Sequence, residues 1–229
     1  SYILGAIPFG LLIVKLSSGK DIRNIESGRT GGTNAFRAAG ILAGISTTLL
    51  DGAKAACAVW ITRYISPGNH WLEIIAPLLA ILGHNYSIFL IELDQNGHIH
   101  LRGGAGGAPC VGGAFALWPP SLLIILPIAA LLLFFVGYAS ITTMSAALVA
   151  TIIFAYRAWI GVSPWHYVIY GIIGEALLIW ALRPNIIRLI QGNERLVGYR
   201  ARKNQNPQSS SLSSSSSSPS DLSSRSSSK

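Results

Sequence analysis

Ser121-Leu122-Leu123-Ile124-Ile125-Leu126-Pro127-Ile128-Ala129-Ala130-Leu131-Leu132-Leu133-Phe134-Phe135-Val136 decides the fold class of this chain. After Ser121 no side chain in the run can hydrogen-bond, so it presents no polar face to water. Such a run suits a helix surrounded by lipid, which needs about 20 predominantly apolar residues, with a range of about 17–25. Comparable runs lie on either side, at 38–61, 72–91, 141–156 and 165–182, with a short opening run at 2–16. A further segment, 111–118, is too short alone. The glycine-rich stretch before it would extend it, and Trp118-Pro119-Pro120 would mark its interfacial end. The expectation is an all-α integral membrane protein of about seven transmembrane helices. Pro77 and Pro127 should bend their helices.

Composition agrees. Of 229 residues, 51% are hydrophobic and only 11% charged, with mean hydropathy +0.49. Soluble domains carry about 25% charged residues. The formal net charge of +8 therefore reflects insertion topology and anionic headgroups rather than nucleic-acid binding. Cys57 and Cys110 lie in apolar context without metal-ligand spacing and are expected to be buried free thiols. The chain begins at Ser1 rather than Met, which suggests a missing N-terminus. The first apolar run is interrupted by polar residues and lacks the basic leader of a cleavable signal peptide.

Seven crossings distribute charge consistently. One side would hold Lys15, Lys20, Arg23, Arg29, Arg37, Arg102, Arg183, Arg188, Arg195, Arg200 and Arg202; the other would hold Arg63 and Arg157. The positive-inside rule puts the first group in the cytoplasm and the N-terminus outside. Six crossings would split Arg102 from the C-terminal arginines. Residues 1–202 are expected to form the membrane domain. Residues 203–229, nearly all serine after Gln208, are expected to be a disordered cytoplasmic tail.

Three polar clusters fall on the predicted cytoplasmic side. The first is Asp21-Ile22-Arg23-Asn24-Ile25-Glu26-Ser27-Gly28-Arg29-Thr30-Gly31-Gly32-Thr33-Asn34-Ala35-Phe36-Arg37. Its glycines allow close backbone approach to a ligand, its arginines offer planar forks for phosphate, and its hydroxyls and Asn34 add neutral partners. The second runs from Gly83-His84-Asn85-Tyr86-Ser87 to Arg102-Gly103-Gly104-Ala105-Gly106-Gly107. The third spans 185–194, where Asn185, Arg188 and Gln191 would share one face of a short helix. Taken singly, each has a plainer account: arginines as topology determinants, glycines as helix-packing sites, His84 as a packing residue. Asp51 and Lys54, inside the second span, are expected to pair with each other or with a polar cavity. Convergence of three clusters on one face favours a site. No Gly-x-x-x-x-Gly-Lys-Ser/Thr loop, His-Glu-x-x-His motif or Gly-x-Ser-x-Gly elbow is present. A His followed four residues later by Asp is absent too, since His84 is followed at that offset by Ile88.

Gly5-Ala6-Ile7-Pro8-Phe9-Gly10, Asp21-Ile22-Arg23 and the run from Ser27-Gly28 through Thr33-Asn34 to Arg37 resemble the bacterial acyl-phosphate:glycerol-3-phosphate acyltransferases of the PlsY type. Gly83-His84 with Ser87, Phe89 and Leu90, then the glycine cluster, resembles that family's second motif. Asn185, Ile186, Arg188, Leu189, Gly192 and Glu194 resemble its third. The resemblance covers about residues 2–200. It implies a seven-helix enzyme of the bacterial cytoplasmic (inner) membrane, with its site facing the cytoplasm. The reaction implied is acyl transfer from acyl phosphate to the 1-hydroxyl of glycerol 3-phosphate, giving lysophosphatidic acid and phosphate in the first step of phospholipid synthesis. Candidate catalytic residues are Ser27, Asn34, His84 and Asn185. Candidate phosphate-binding residues are Arg23, Gly28, Arg29, Thr33, Arg37, Arg102, Gly103, Gly104, Gly106, Arg188 and Glu194. The proton acceptor is either His84 or a phosphate oxygen of the substrate, with the phosphate favoured. No metal or organic cofactor is called for. The expected partners are the two substrates and the lipid bilayer. Oligomeric state is left open, and a monomer suffices.

The chain departs from the family pattern at identifiable positions. Ala105 stands where the family's Gly-Gly-Lys-Gly has lysine; Arg102 or Arg29 could replace that charge. The segment from Glu92 to Arg102 is longer than usual. Arg29 replaces an Asn, Gly32 an Ala and Leu182 a His. The competing functional classes are a catalytically silent membrane protein that binds phosphorylated lipid and a small transporter of phosphorylated metabolites. The transporter would show related halves with broken helices, and no such internal repeat is seen.

Overall fold

The computed structural model describes residues 1–93 and 96–197. The segment 203–229, with Arg200 and Arg202, lies outside the described residues. Among the described residues, two helices are both long and apolar enough to cross a membrane: α8 (Ala139–Trp159) and α9 (His166–Ile190). Around them lie α4 (Ile41–Ile65), α5 (His70–Asn85), α6 (Gly107–Leu117) and α7 (Ser121–Phe135). The chain opens with α1 (Tyr2–Ala6) and α2 (Phe9–Ser18), and α3 (Gly32–Ala39) precedes α4. Every expected apolar segment therefore contains helix.

Local chemistry adjusts the expected boundaries. The opening run is not one helix, because Pro8 lacks an N–H and pushes Ile7 out of the helical region, to ψ 119°. The expected segment 72–91 stops being helical at Asn85. There Ser87 Oγ donates to the Ala6 carbonyl at 2.5 Å and accepts from Phe89 N at 3.2 Å, offering the backbone an alternative to the helix. The residues beyond form a two-stranded antiparallel hairpin, β1 (Ile91–Leu93) with β2 (Ile99–Leu101), so the fold is not purely helical. The expected break after 182 does not occur: α9 runs through Pro184 to Ile190. Arg183 Nε donates to the Trp180 carbonyl at 3.1 Å, the acceptor that Pro184 cannot serve. The extension of 111–118 into the preceding glycines is observed, with α6 starting at Gly107. Both cysteines are free, but only Cys110 is buried. Cys57 is half-buried.

The interior holds Val59, Ile74, Ile81, Ala114, Ile125, Phe154, Tyr170 and Leu178, contributed by α4 to α9. Large apolar side chains also cover much of the outside. Leu123 is 79% exposed, and Leu42, Leu131, Phe135, Ile152 and Ile172 are all open. A surface like this has no place in water and suits lipid. Tyr64, Trp71, Trp159 and Trp165 are exposed where α4 ends, α5 begins, α8 ends and α9 begins, the arrangement of an interfacial aromatic girdle. Arg63 belongs to that end: it donates to the Ala116 and Leu117 carbonyls and to the Tyr167 hydroxyl, and pairs with Glu73 at 3.4 Å. Arg157 stacks on Trp118 there, 4.1 Å from the ring centre.

Helix α4 packs backbone to backbone on α6. A Cβ at Gly112 would fall 2.1 Å from the Gly52 carbonyl oxygen. Small residues permit this approach in a setting where hydrophobicity alone does not drive helices together.

Candidate active site

At the end opposite Arg63, the loops between helices close over a cavity of about 500 Å³. Three helices point their N-termini into it: α3 through Gly32 and Thr33, α6 through Gly107 and Ala108, and α8 through Ala139 and Ser140. The first N–H groups of a helix lack intrahelical acceptors and carry the positive end of its dipole, so three such ends make an anion-binding wall. Arg29, Arg37 and Arg188 line the same wall. Away from it the cavity becomes apolar, bounded by Ala56, Trp60, Val111, Phe115, Leu122 and Leu126. A cationic head joined to an oily groove fits an amphiphile with an anionic headgroup.

The polar wall is tied together across long sequence distances. Arg29 Nη1 donates to the Gly104 carbonyl at 2.9 Å, and its Nη2 donates to the Ala181 carbonyl, so one guanidinium links the first two polar segments to α9. Burial, then the nearby Arg188 charge, lowers the pKa of Arg29 from its usual value. Burial does the same to Arg37. Gly104 N donates to the His84 carbonyl at 2.9 Å, and Thr30 N to the Gly103 carbonyl at 3.3 Å. Gly104 has to be glycine, because a Cβ there would sit 1.9 Å from His84 Nε2. Asn34 is buried, and its Nδ2 reaches the carbonyls of Ile22, Ile25 and Arg29 at 2.9–3.1 Å, shaping the first loop. Glu194 accepts from Asn185 Nδ2 at 2.8 Å and pairs with Arg188 Nε at 3.3 Å, so its carboxylate orients both groups.

All four candidate catalytic residues, Ser27, Asn34, His84 and Asn185, line the large cavity. So do Arg29, Thr33, Arg37, Gly106, Arg188 and Glu194. Gly28, Arg102, Gly103 and Gly104 instead line an adjoining cavity of about 340 Å³, which shares Ser27 and Arg29 with the first. Arg102 pairs with Glu92 at 2.7 Å. Arg23 reaches neither cavity. Its fork grips Asp21 at 2.6 Å, and that hydrogen bond holds the Asp21 carboxyl down at about 2. Ala105 lines the large cavity beside the Arg29 anchor point.

Two features had weaker sequence signals. Lys54 Nζ lies 2.9 Å from Asp51 Oδ1 and 2.9 Å from His84 Nδ1, and donates to the Ile7 carbonyl at 3.1 Å. Asp51 and Lys54 do pair, as expected from their spacing, but the link to His84 has no local signature. The hydroxyl run Ser140, Thr142 and Thr143 at the start of α8 also lines the cavity. A cluster of hydroxyls opening an apolar span was the signal available for it.

A family model described as glycerol-3-phosphate acyltransferase matches residues 1–192. The chain belongs to this family. It is 34% identical over 201 residues to glycerol-3-phosphate acyltransferase 2 of Moorella thermoacetica, covering 88% of this chain and 96% of that one. It is equally similar, at 34%, to glycerol-3-phosphate acyltransferase of Rubrobacter xylanophilus, with 87% and 93% covered. Among solved structures it matches PlsY, an integral membrane glycerol 3-phosphate acyltransferase, in its glycerol 3-phosphate form. That match has TM-score 0.74 and 30% identity, covering 86% of this chain and 92% of PlsY. The lysophosphatidic acid form of PlsY matches with TM-score 0.70 and 29% identity.

Proposed function

We propose that this protein is a glycerol-3-phosphate acyltransferase that takes its acyl group from acyl phosphate at the cytoplasmic face of a bacterial cytoplasmic membrane. The observation that carries this is the two-part cavity: a wall of arginines and helix N-termini leading into a groove lined by Trp60, Phe115, Leu122 and Leu126. Both substrates are phosphorylated, and one carries an acyl chain. Seven crossings, with the N-terminus outside, would put the arginine-rich loops in the cytoplasm and Arg63 and Arg157 on the far side.

The 1-hydroxyl oxygen of glycerol 3-phosphate attacks the acyl carbonyl carbon of acyl phosphate. A C–O ester bond forms, the acyl C–O bond to phosphate breaks, and inorganic phosphate departs with lysophosphatidic acid as the other product. The donor is an activated mixed anhydride, so positioning and charge stabilisation carry most of the acceleration. Arg37 and Arg188 hold phosphate. Arg29 supplies positive charge beside Ala105, and Asn185 and Ser27 orient the acceptor. Glu194 positions Arg188 and Asn185. Asn34 shapes the loop rather than touching substrate. Arg23 is occupied by Asp21 and Glu92. Lys54 Nζ and Asp51 Oδ1 both face His84 Nδ1, at 2.9 and 3.4 Å, so that ring nitrogen is engaged within the protein. The hydroxyl proton is assigned to a phosphate oxygen of the substrate.

The test is a donor comparison with the detergent-purified chain and labelled glycerol 3-phosphate. Lysophosphatidic acid formed from acyl phosphate, and not from acyl-coenzyme A or acyl carrier protein, is the expected result. Product from a thioester donor alone would refute the donor assignment. No product from any donor would favour a silent binder.

A further inference from the structure

The hairpin β1–β2 has no part in the proposed reaction. Its register pairs Ile91 with Leu101, Glu92 with His100 and Leu93 with Ile99. Residues directly opposite share a face and successive residues alternate, so four aliphatic side chains occupy one face while Glu92 and His100 occupy the other. All four aliphatic residues are open: Ile91 is 53% exposed, Leu93 69%, Ile99 68% and Leu101 38%. The polar face is fastened to the body through Glu92, which pairs with Arg102 at 2.7 Å and Arg23 at 3.5 Å. Ile91, Leu93 and Ile99 are thereby turned away from the protein, while Leu101 borders the smaller cavity. Two strands alone are marginal in water, and an exposed aliphatic sheet face invites aggregation, so something covers it.

We propose that the aliphatic face of β1–β2 seats in the interfacial layer of the lipid bilayer and anchors the loop that carries Arg102, Gly103 and Gly104. Continuity with the lipid-facing surface identifies the occupant. Leu72, Ile75 and Leu79 form an exposed stripe on α5, and exposed Ile88 and Phe89 carry that apolar surface from the end of α5 to the first strand. β2 then runs directly into Arg102, whose N–H donates to the Leu90 carbonyl, and on to Gly104 at the His84 carbonyl. A hairpin seated in lipid fixes one edge of the smaller cavity relative to the membrane surface. The inference rests on the membrane reading of the fold, and the controls separate the two.

The test is fluorescence quenching in liposomes of phosphatidylethanolamine and phosphatidylglycerol. An environment-sensitive label is attached at Leu93→Cys or Ile99→Cys of the full chain, and the signal of the parent, with Cys57 and Cys110, is subtracted. Leu131→Cys on α7 is the lipid reference and Lys20→Cys the aqueous one. Labels at 93 and 99 should be quenched by acyl-brominated lipid nearly as well as the label at 131, and several-fold less by iodide than the label at 20. Iodide quenching equal to that at position 20 would overturn the proposal. So would protection that vanishes when the protein is diluted in lipid, which assigns the face to a second copy, or protection that appears only with acyl carrier protein. A label at 131 that never meets brominated lipid would overturn the membrane reading and the hairpin proposal together.

Discussion

Asp51 and Lys54 have side chains 1% exposed in the middle of α4. Each alone would be a buried charge; together with His84 and the Ile7 carbonyl, which accepts from Lys54 Nζ, they form a buried ion-pair cluster. Breaking a buried pair by removing one partner costs about 3–5 kcal/mol, whereas replacing both with apolar residues of similar volume is often near neutral. Asp51→Ala should therefore lower the unfolding midpoint in detergent far more than the double variant Asp51→Leu/Lys54→Met. Equal losses would contradict the pairing. At the site, Arg188→Ala should reduce kcat/KM for glycerol 3-phosphate about 10- to 100-fold, the scale of a charge-assisted hydrogen bond. Glu194→Gln should cost less, and the double variant should cost less than the product of the two, because Glu194 acts through Arg188. Steady-state kinetics of the three variants checks this, and fully multiplicative losses would refute the positioning role.

Among elements, the α4–α6 contact is the most closely constrained. Gly112→Ala places a methyl 2.1 Å from the Gly52 carbonyl, so the helices must separate; Gly52→Ala meets nothing closer than 3.4 Å. Overpacking of this kind costs about 1–3 kcal/mol. Thermal unfolding should show a clear loss for the first and little for the second, and the reverse order would refute this crossing. The helical segments themselves were legible in the sequence, because uninterrupted apolarity is a local property. The three polar clusters were legible as well, because glycine and arginine stand out between apolar runs. The hairpin was hidden inside an apolar segment, since Ile91 and Leu93 read as a continuation of the span that α5 leaves at Asn85. The passage of α9 through Pro184 depends on Arg183 covering a freed carbonyl, and the junction of Lys54 with His84 depends on how α4 meets α5. Both are contacts of the folded chain, which residue spacing does not encode.

For the molecule as a whole, the two ends differ in kind. One gathers Arg63, Glu73, Tyr167 and a girdle of tryptophans; the other gathers the arginine-rich loops and the cavity. Membrane-impermeant thiol reagents applied to oriented vesicles should label Lys20→Cys from the cytoplasmic side only and Pro67→Cys from the outer side only. Labelling of both from one side would refute the proposed orientation. Arg29, Arg37, Arg188 and three helix N-termini together put positive character at one end of an oily groove, where the proposed function places two phosphorylated substrates. The most direct measurement is inorganic phosphate release by the purified, folded protein supplied with acyl phosphate, with and without glycerol 3-phosphate. Release that requires glycerol 3-phosphate is the predicted result, while no release, or release indifferent to the acceptor, would contradict acyl transfer as the function of this site.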